Sequence, residues 1–158
     1  MAFYSPSKGE LSFDAAFMDM IGYMNEDVEG SYKLIIGTDS HAYLNQNVTF
    51  VTAIIIHRIG KGGRYYFQKQ KQQYMGSLRQ RMYFEASLSL EVASRLTKKL
   101  SKSGFENLNV EIHLDIGEQG DTRDVIRELV GMVIGSGYNA RIKPESYGAS
   151  KVADKYTR

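Results

Sequence analysis

Three acidic residues, Asp39, Glu85 and Asp115, could together hold metal ions. Asp39 ends a short apolar run in the string Gly-Thr-Asp-Ser-His, and Asp115 lies near the end of an alternating segment. α/β folds commonly place ligand sites where strands lead into loops. Clustered carboxylates repel one another unless hard cations neutralise them, and oxygen-only ligands suit Mg²⁺ or Mn²⁺. Each Asp could instead simply start a turn after its strand.

Glu85 interrupts the apolar face of a long amphipathic segment. Residues 78–102 have helical periodicity, and Glu85 falls inside the stripe formed by Leu78, Met82, Ser89, Ala93, Leu96 and Leu100. A carboxylate in such a stripe needs a cation, a hydrogen-bond partner or a raised pKa. A buried salt bridge, or a side chain that reaches the solvent, would also explain it. If the strands of Asp39 and Asp115 are neighbours and this helix crosses them, the three acids converge.

The positive charge of the chain is concentrated between two of these acids. The chain has a formal net charge of +2, but residues 1–32 carry six acids and one base, and residues 40–84 carry seven Lys or Arg and no acid. Two divalent ions ~4 Å apart can promote hydrolysis of a phosphodiester, and basic side chains beside them would contact phosphates. We therefore expect a nucleic-acid partner, although a solvated basic face is the alternative. The candidate contacts are Arg58, Lys61, Arg64, Lys69 and Lys71.

Composition excludes several other classes of protein. The 158 residues are enough for one domain, and 42% of them are hydrophobic. The absence of cysteine excludes disulfides, thiolate metal sites and cysteine nucleophiles. No apolar run is long enough to span a bilayer, and the N-terminus lacks the features of a signal peptide, so we expect a soluble, cytoplasmic protein.

The periodicity predicts one mixed α/β domain over residues 1–158. An amphipathic helix over 12–25, with Ser12 as N-cap, belongs to an N-terminal extension (1–30) packed on the domain. Three strands follow at 33–39, 47–57 and 64–71, and the string GKGG forms a turn at 60–63. After the long helix, strands alternate with helices: a strand over 109–116, a helix over 121–136, a strand over 138–143 and a short helix over 149–156. This order predicts a five-stranded mixed sheet covered by helices.

The strand order and the acids resemble the ribonuclease H-like fold. Four strings carry a closer resemblance to the YkuK-like family of bacterial ribonuclease H-like proteins: IGTDSH (36–41), VTAIIIHRIGKGGRYY (51–66), IHLDIGEQGDTRDVIRELVGMVIGSGY (112–138) and IKPESYGASKVADKYT (142–157). The resemblance implies a flanked five-stranded mixed sheet and metal ligands at Asp39, Glu85, Asp115 and, on the last helix, Asp154. It also implies a metal-bound water that attacks phosphorus and leaves a 5′-phosphate and a 3′-hydroxyl. The GKGG turn stands where some ribonucleases H carry a basic lobe, so specificity for hybrid duplexes does not follow.

Several functional interpretations remain open from the sequence. The chain is either a nuclease that binds Mg²⁺ or Mn²⁺ in a carboxylate-held two-metal site, with two ions present when substrate is bound, or a non-catalytic nucleic-acid-binding or adaptor module. A small-molecule phosphohydrolase is a third interpretation. His41, His57 and His113 are a weaker case for a zinc site, because two lie on different strands and one lies in a loop. His113 could border the carboxylate site. Tyr65, Tyr66 and Tyr74 could stack on bases or pack in the sheet.

Overall fold

The structure is a computed structural model whose described residues form ten helices and strands in one mixed α/β fold. It describes residues 2–45, 47–73, 75, 77–116, 122–143, 152 and 156. The strands are β1 (Phe3–Ser5), β2 (Gly9–Leu11), β3 (Tyr32–Ala42), β4 (Val48–Arg58), β5 (Gly63–Gln72), β6 (Asn109–His113) and β7 (Asn139–Arg141), and the helices are α1 (Phe13–Asn25), α2 (Leu78–Lys102) and α3 (Arg123–Gly135). No helix among the described residues is long and apolar enough to cross a membrane.

The seven strands form one sheet in the order β2-β1-β5-β4-β3-β6-β7. β3, β4 and β5 form the predicted antiparallel meander, whereas β6 runs parallel to β3 and β7 runs parallel to β6. The predicted class of fold is confirmed, but the predicted number of five strands is wrong. The two additional strands are the three-residue hairpin β1–β2, which is too short to show a period in the sequence and joins the edge of β5 through the pair Tyr4–Phe67.

Local sequence signals explain where the helices and the central turn lie. Ser12 caps α1, because its hydroxyl accepts a hydrogen bond from the Ala15 N–H at 3.0 Å. Gly104, at φ +84°, follows the end of α2 in a conformation that favours glycine. The turn between β4 and β5 likewise uses positive φ at Gly60 and Gly62. The sequence therefore positions these element ends correctly.

The three helices cover the same face of the sheet. The main core joins α1, α2 and α3 to side chains of the central strands, such as Leu34 and Ile36 of β3 and Ile54 of β4. Five of the six stripe residues of α2 are buried there, but Leu78 is 56% exposed because it begins the helix at its outer end. On the opposite face, Val152 and Tyr156 pack against Val51, Ala53 and Phe67. Side chains on β3 thus alternate between a helix-covered face and a second face.

Candidate functional site

Asp39 and Asp115 lie at corresponding ends of two parallel neighbouring strands. The register of β3 and β6 ends at the pair Gly37–His113. Asp39 is two residues beyond Gly37, and Asp115 is two residues beyond His113. Because parallel strands advance together, the two acids come to the same edge of the sheet. Both side chains are partly exposed, as a ligand site at this edge requires.

Glu85 reaches this edge from helix α2. Its carboxylate accepts a short hydrogen bond from the Ser40 hydroxyl, next to Asp39 in the chain. One turn further along α2, the buried Ser89 hydroxyl lies 2.8 Å from that of Thr38, which lies 3.0 Å from the Thr52 hydroxyl. These hydroxyl contacts pin α2 to β3 and β4, so they fix the position of Glu85 along the helix. The predicted crossing of the long helix over the first strand is confirmed.

The electrostatics of Glu85 show that the three acids interact. The pKa of Glu85 is raised to about 8, mainly by burial; the charges of Asp39 and Asp115 contribute to the rise, whereas the hydrogen bond from Ser40 and the charge of Arg81 oppose it. Glu85 and Asp115 also line one small cleft together with Thr38, Ser89 and His113. Without an added cation, therefore, Glu85 is largely protonated near neutral pH.

Two basic residues that the sequence reasoning missed share the site. The Lys143 Nζ forms an ion pair with the Asp115 Oδ1 at 3.1 Å, and the Arg81 Nε donates to the Ser40 hydroxyl at 3.2 Å. Arg81 precedes Glu85 by one helical turn, a spacing that could have revealed it. Lys143 follows β7, so only the sheet order brings it to Asp115. Its side chain is 58% exposed, so it can leave Asp115 without a large desolvation cost.

The donor set of the site fits a hard cation in its chemistry. Asp39, Glu85 and Asp115 offer only carboxylate oxygens, the ligands that Mg²⁺ and Mn²⁺ prefer. Within the described part of the chain, however, no three or more His, Asp or Glu side chains stand close enough to hold an ion. This finding also gives no support to a zinc site. Asp154 lies outside the described residues, so its predicted role as a fourth ligand stays a prediction.

His113 borders the site and is held by a buried acid. Its Nε2 lies 3.0 Å from the Oε1 of Glu111, which is 3% exposed and also pairs with Lys33 at 3.1 Å. Burial opposes ionisation of Glu111, but the hydrogen bond with His113 and the charge of Lys33 lower its pKa. Among the described residues, nothing hydrogen bonds to the His113 Nδ1. The Glu111 carboxylate therefore fixes the orientation of the imidazole beside Asp115.

Three of the five predicted nucleic-acid contacts have acidic partners within the chain. Arg64 pairs with Asp19 of α1 at 3.3 Å, and Lys61 pairs with Asp27 at 3.4 Å. Arg58 lies 4.2 Å above the ring of Tyr23 and close to Asp27. The acidic N-terminal region and the first half of the basic segment thus largely neutralise each other. Their role as nucleic-acid contacts stays a prediction.

Lys69 and Lys71 have a different setting. Both side chains are exposed on β5. Lys69 is opposite Val51 of β4, which is opposite Asp39, so these three residues share one cross-strand row on the second face. Among the neighbouring tyrosines, Tyr66 is fully buried and its hydroxyl donates a hydrogen bond to Asp19, as expected if it packs in the sheet. Tyr74 lies outside the described residues.

Comparisons with known proteins agree with this architecture. A family model described as Ribonuclease H-like matches residues 15–158. A protein of Bacillus subtilis (strain 168), named Uncharacterized protein YkuK, is 33% identical over 167 aligned positions, which cover 99% of this chain and 96% of that protein. No solved structure matches the chain significantly.

Proposed function

Since this chain belongs to the ribonuclease H-like proteins and, among them, to the YkuK-like family, we propose that it is a divalent-metal-dependent nuclease that hydrolyses phosphodiester bonds in nucleic acid. The observation that carries the proposal is the electrostatic coupling of Glu85 to Asp39 and Asp115 at one edge of the sheet. A buried carboxylate whose pKa is raised by neighbouring carboxylates is expected where a bound cation can act. Fold alone would not support an activity.

The carboxylates have distinct roles in this proposal. Asp39 and Asp115 are the principal ligands of one or two Mg²⁺ or Mn²⁺ ions, Glu85 is a ligand or orients water, and Asp154 is the fourth acid. When bound, the ions supply a water nucleophile and stabilise the leaving oxygen. The Ser40 hydroxyl holds the Glu85 carboxylate in place. Lys69 and Lys71 hold substrate phosphates on the same face as Asp39.

A non-catalytic nucleic-acid-binding protein is the second candidate function. The ion pair between Lys143 and Asp115 favours it, because an internal cation can replace a metal that the site no longer binds. In that case Lys69 and Lys71 would still attract nucleic acid, whereas the carboxylates would have no catalytic role. Binding that does not depend on divalent ions would be the sign of this function.

Cleavage of a panel of labelled single strands, duplexes and hybrids tests the proposal. Reactions with Mg²⁺, with Mn²⁺ and with chelator are compared, and the double variant Asp39→Asn/Asp115→Asn, purified identically, controls for contaminating nucleases. We expect cleavage that needs metal and disappears in the double variant. Cleavage that persists in that variant, or no cleavage together with binding that chelator leaves unchanged, would contradict the proposal.

A further inference from the structure

A line of ring side chains leads away from Asp39 along one face of β3. Side chains two residues apart on a strand share a face and lie about 7 Å apart, so His41 is on the face of Asp39. The Tyr43 N–H donates to the Asn47 carbonyl at 2.9 Å, which continues the hairpin one residue beyond β3. The rings of His41 and Tyr43 meet edge to face, with centroids 4.7 Å apart. Tyr43 remains 45% exposed, so part of its ring surface is accessible.

A line of lysines runs alongside these rings, two strands away. Lys71 of β5 is opposite Thr49 of β4, which is opposite His41 of β3. In the next row, Lys69 is opposite Val51, which is opposite Asp39. Neighbouring strands are about 4.8 Å apart, so the two lines are separated by about 10 Å at the level of the backbone. Thr49 forms the floor between His41 and Lys71, whereas Val51 is covered by Val152 and Tyr156. We call the resulting surface the lysine–aromatic groove; it consists of His41, Tyr43, Thr49, Lys69 and Lys71.

The groove continues into a cleft at the end of the hairpin. Tyr43, Thr49 and Lys71 line this cleft, and the amide side chains of Asn45, Asn47 and Gln72 complete its wall. Amides both donate and accept hydrogen bonds, as the edges of nucleobases do. Cationic, aromatic and amide groups therefore follow one another along a surface that begins at His41, on the same face of β3 as Asp39.

We propose that the lysine–aromatic groove binds single-stranded nucleic acid beside the reacting phosphate. Lys69 and Lys71 contact successive phosphates, and an unpaired base stacks on Tyr43. Every base offers a π-face, so binding by stacking tolerates any sequence but needs a base that is not already stacked in a duplex. The placement of the reacting phosphate at Asp39 rests on the proposed function, whereas binding in the groove does not.

Fluorescence anisotropy with a labelled 12-nucleotide strand and with the matching duplex tests this inference. The titrations contain chelator, so they do not depend on metal or on cleavage. We expect the single strand to bind more tightly than the duplex, and Tyr43→Ala to weaken single-strand binding by about tenfold, since stacking on one aromatic ring has roughly that effect. Tyr43→Phe, which keeps the ring, should bind within twofold of the wild type. Tyr4→Ala is the matched control, because Tyr4 is a similarly exposed tyrosine near the far edge of the sheet.

The lysines are tested by the salt dependence of the same titration. Lys69→Ala/Lys71→Ala should reduce the slope of log affinity against log salt by about 1.4, because each phosphate contact on a single strand contributes about 0.7. Lys98→Ala/Lys102→Ala removes the same charge from exposed positions on α2 and should leave the slope unchanged. Equal affinity for strand and duplex, or an unchanged affinity in Tyr43→Ala, would overturn the groove. Either result could occur in an active nuclease, so it would contradict the groove but not the proposed function. Conversely, the expected binding in a protein without nuclease activity would support the groove and contradict the proposed function.

Discussion

The two ends of the central sheet both concentrate charge, but they treat it differently. At the end where β4 turns into β5, acids and bases alternate in space: Arg64 pairs with Asp19, and Lys61 pairs with Asp27. At the other end, Asp39, Glu85 and Asp115 act on one another, and burial with these neighbours raises the pKa of Glu85 to about 8. At one end each acid is paired with a base, whereas at the other the charges of Asp39 and Asp115 raise the pKa of a buried carboxylate although Arg81 and Lys143 lie nearby.

Under the proposed function, this difference separates charge that stabilises the fold from charge that would hold a ligand. Like charges near one another cost stability, so a cluster of them is expected where a ligand supplies the opposite charge. Paired charges that seal a helix against a sheet need no ligand. The net charge of a sequence segment cannot distinguish these cases, because it omits the partners that folding brings from elsewhere in the chain.

Removing an acid from the end where β4 turns into β5 should have the largest effect on stability. Asp19→Ala leaves the fully buried Tyr66 without its acceptor and Arg64 without its counter-charge. We expect a loss of about 2–3 kcal/mol in the free energy of unfolding. Urea denaturation measures it, and Asp14→Ala is the control on the same helix, because the Asp14 side chain is 76% exposed. Equal losses in the two variants would contradict the comparison.

Removing Glu85 from the end that holds Asp39 and Asp115 should change stability in the opposite direction. The pKa of Glu85 is higher in the folded state than its ordinary value of 4.5, so the folded protein retains a proton that the unfolded chain releases. Stability is therefore lost as the pH rises from about 4.5 to about 8. Metal-free Glu85→Gln should be more stable than the wild type by about 1–3 kcal/mol at pH 8.5, since each pKa unit corresponds to about 1.4 kcal/mol and partial exposure reduces the effect.

Denaturation of both proteins in chelator across pH 5 to 9 checks this expectation. The difference in stability should shrink toward pH 5, where Glu85 is protonated in the folded protein and increasingly so in the unfolded chain. The variant should also lose any metal-dependent cleavage. A difference that stays constant with pH, or a variant that cleaves normally, would refute the role assigned to Glu85.

The smallest effect on stability is expected for Lys61, at the end where β4 turns into β5. Its side chain is 68% exposed, and its ion pair with Asp27 is open to solvent. Lys61→Ala should therefore change the free energy of unfolding by less than about 0.5 kcal/mol, and the change should diminish in high salt. If Lys61→Ala lowered the free energy of unfolding as much as Asp19→Ala, solvent exposure would not explain how much each ion pair at this end stabilises the fold.

Much of the fold could be predicted because its signals are local. Ser12, Gly60 and Gly104 mark a helix start, a turn and a helix end through their own chemistry. The stripe of α2 likewise placed Glu85 against the sheet. The hairpin β1–β2 was missed because its strands have three residues each and depend on pairing with each other and with β5. Periodicity cannot reveal pairing between distant segments.

The sequence analysis named the acidic residues of the candidate site but not the basic residues beside them. Asp39 and Asp115 follow from strand ends, which the sequence shows. Lys143 reaches Asp115 only through the order of β6 and β7 in the sheet. The pairing of Arg64 with Asp19 joins residues 45 positions apart, so the charge pattern alone could not reveal it.

The most direct test of the carboxylate site is the calorimetric titration of Mn²⁺ into the wild type and into Asp39→Asn. We expect Mn²⁺ to bind the wild type, and to bind the variant at least tenfold more weakly. Near pH 7, binding should release close to one proton per site, because the cation displaces the proton of Glu85. Glu85→Gln should abolish that release. No Mn²⁺ binding, or equal binding to the wild type and Asp39→Asn, would contradict the central claim.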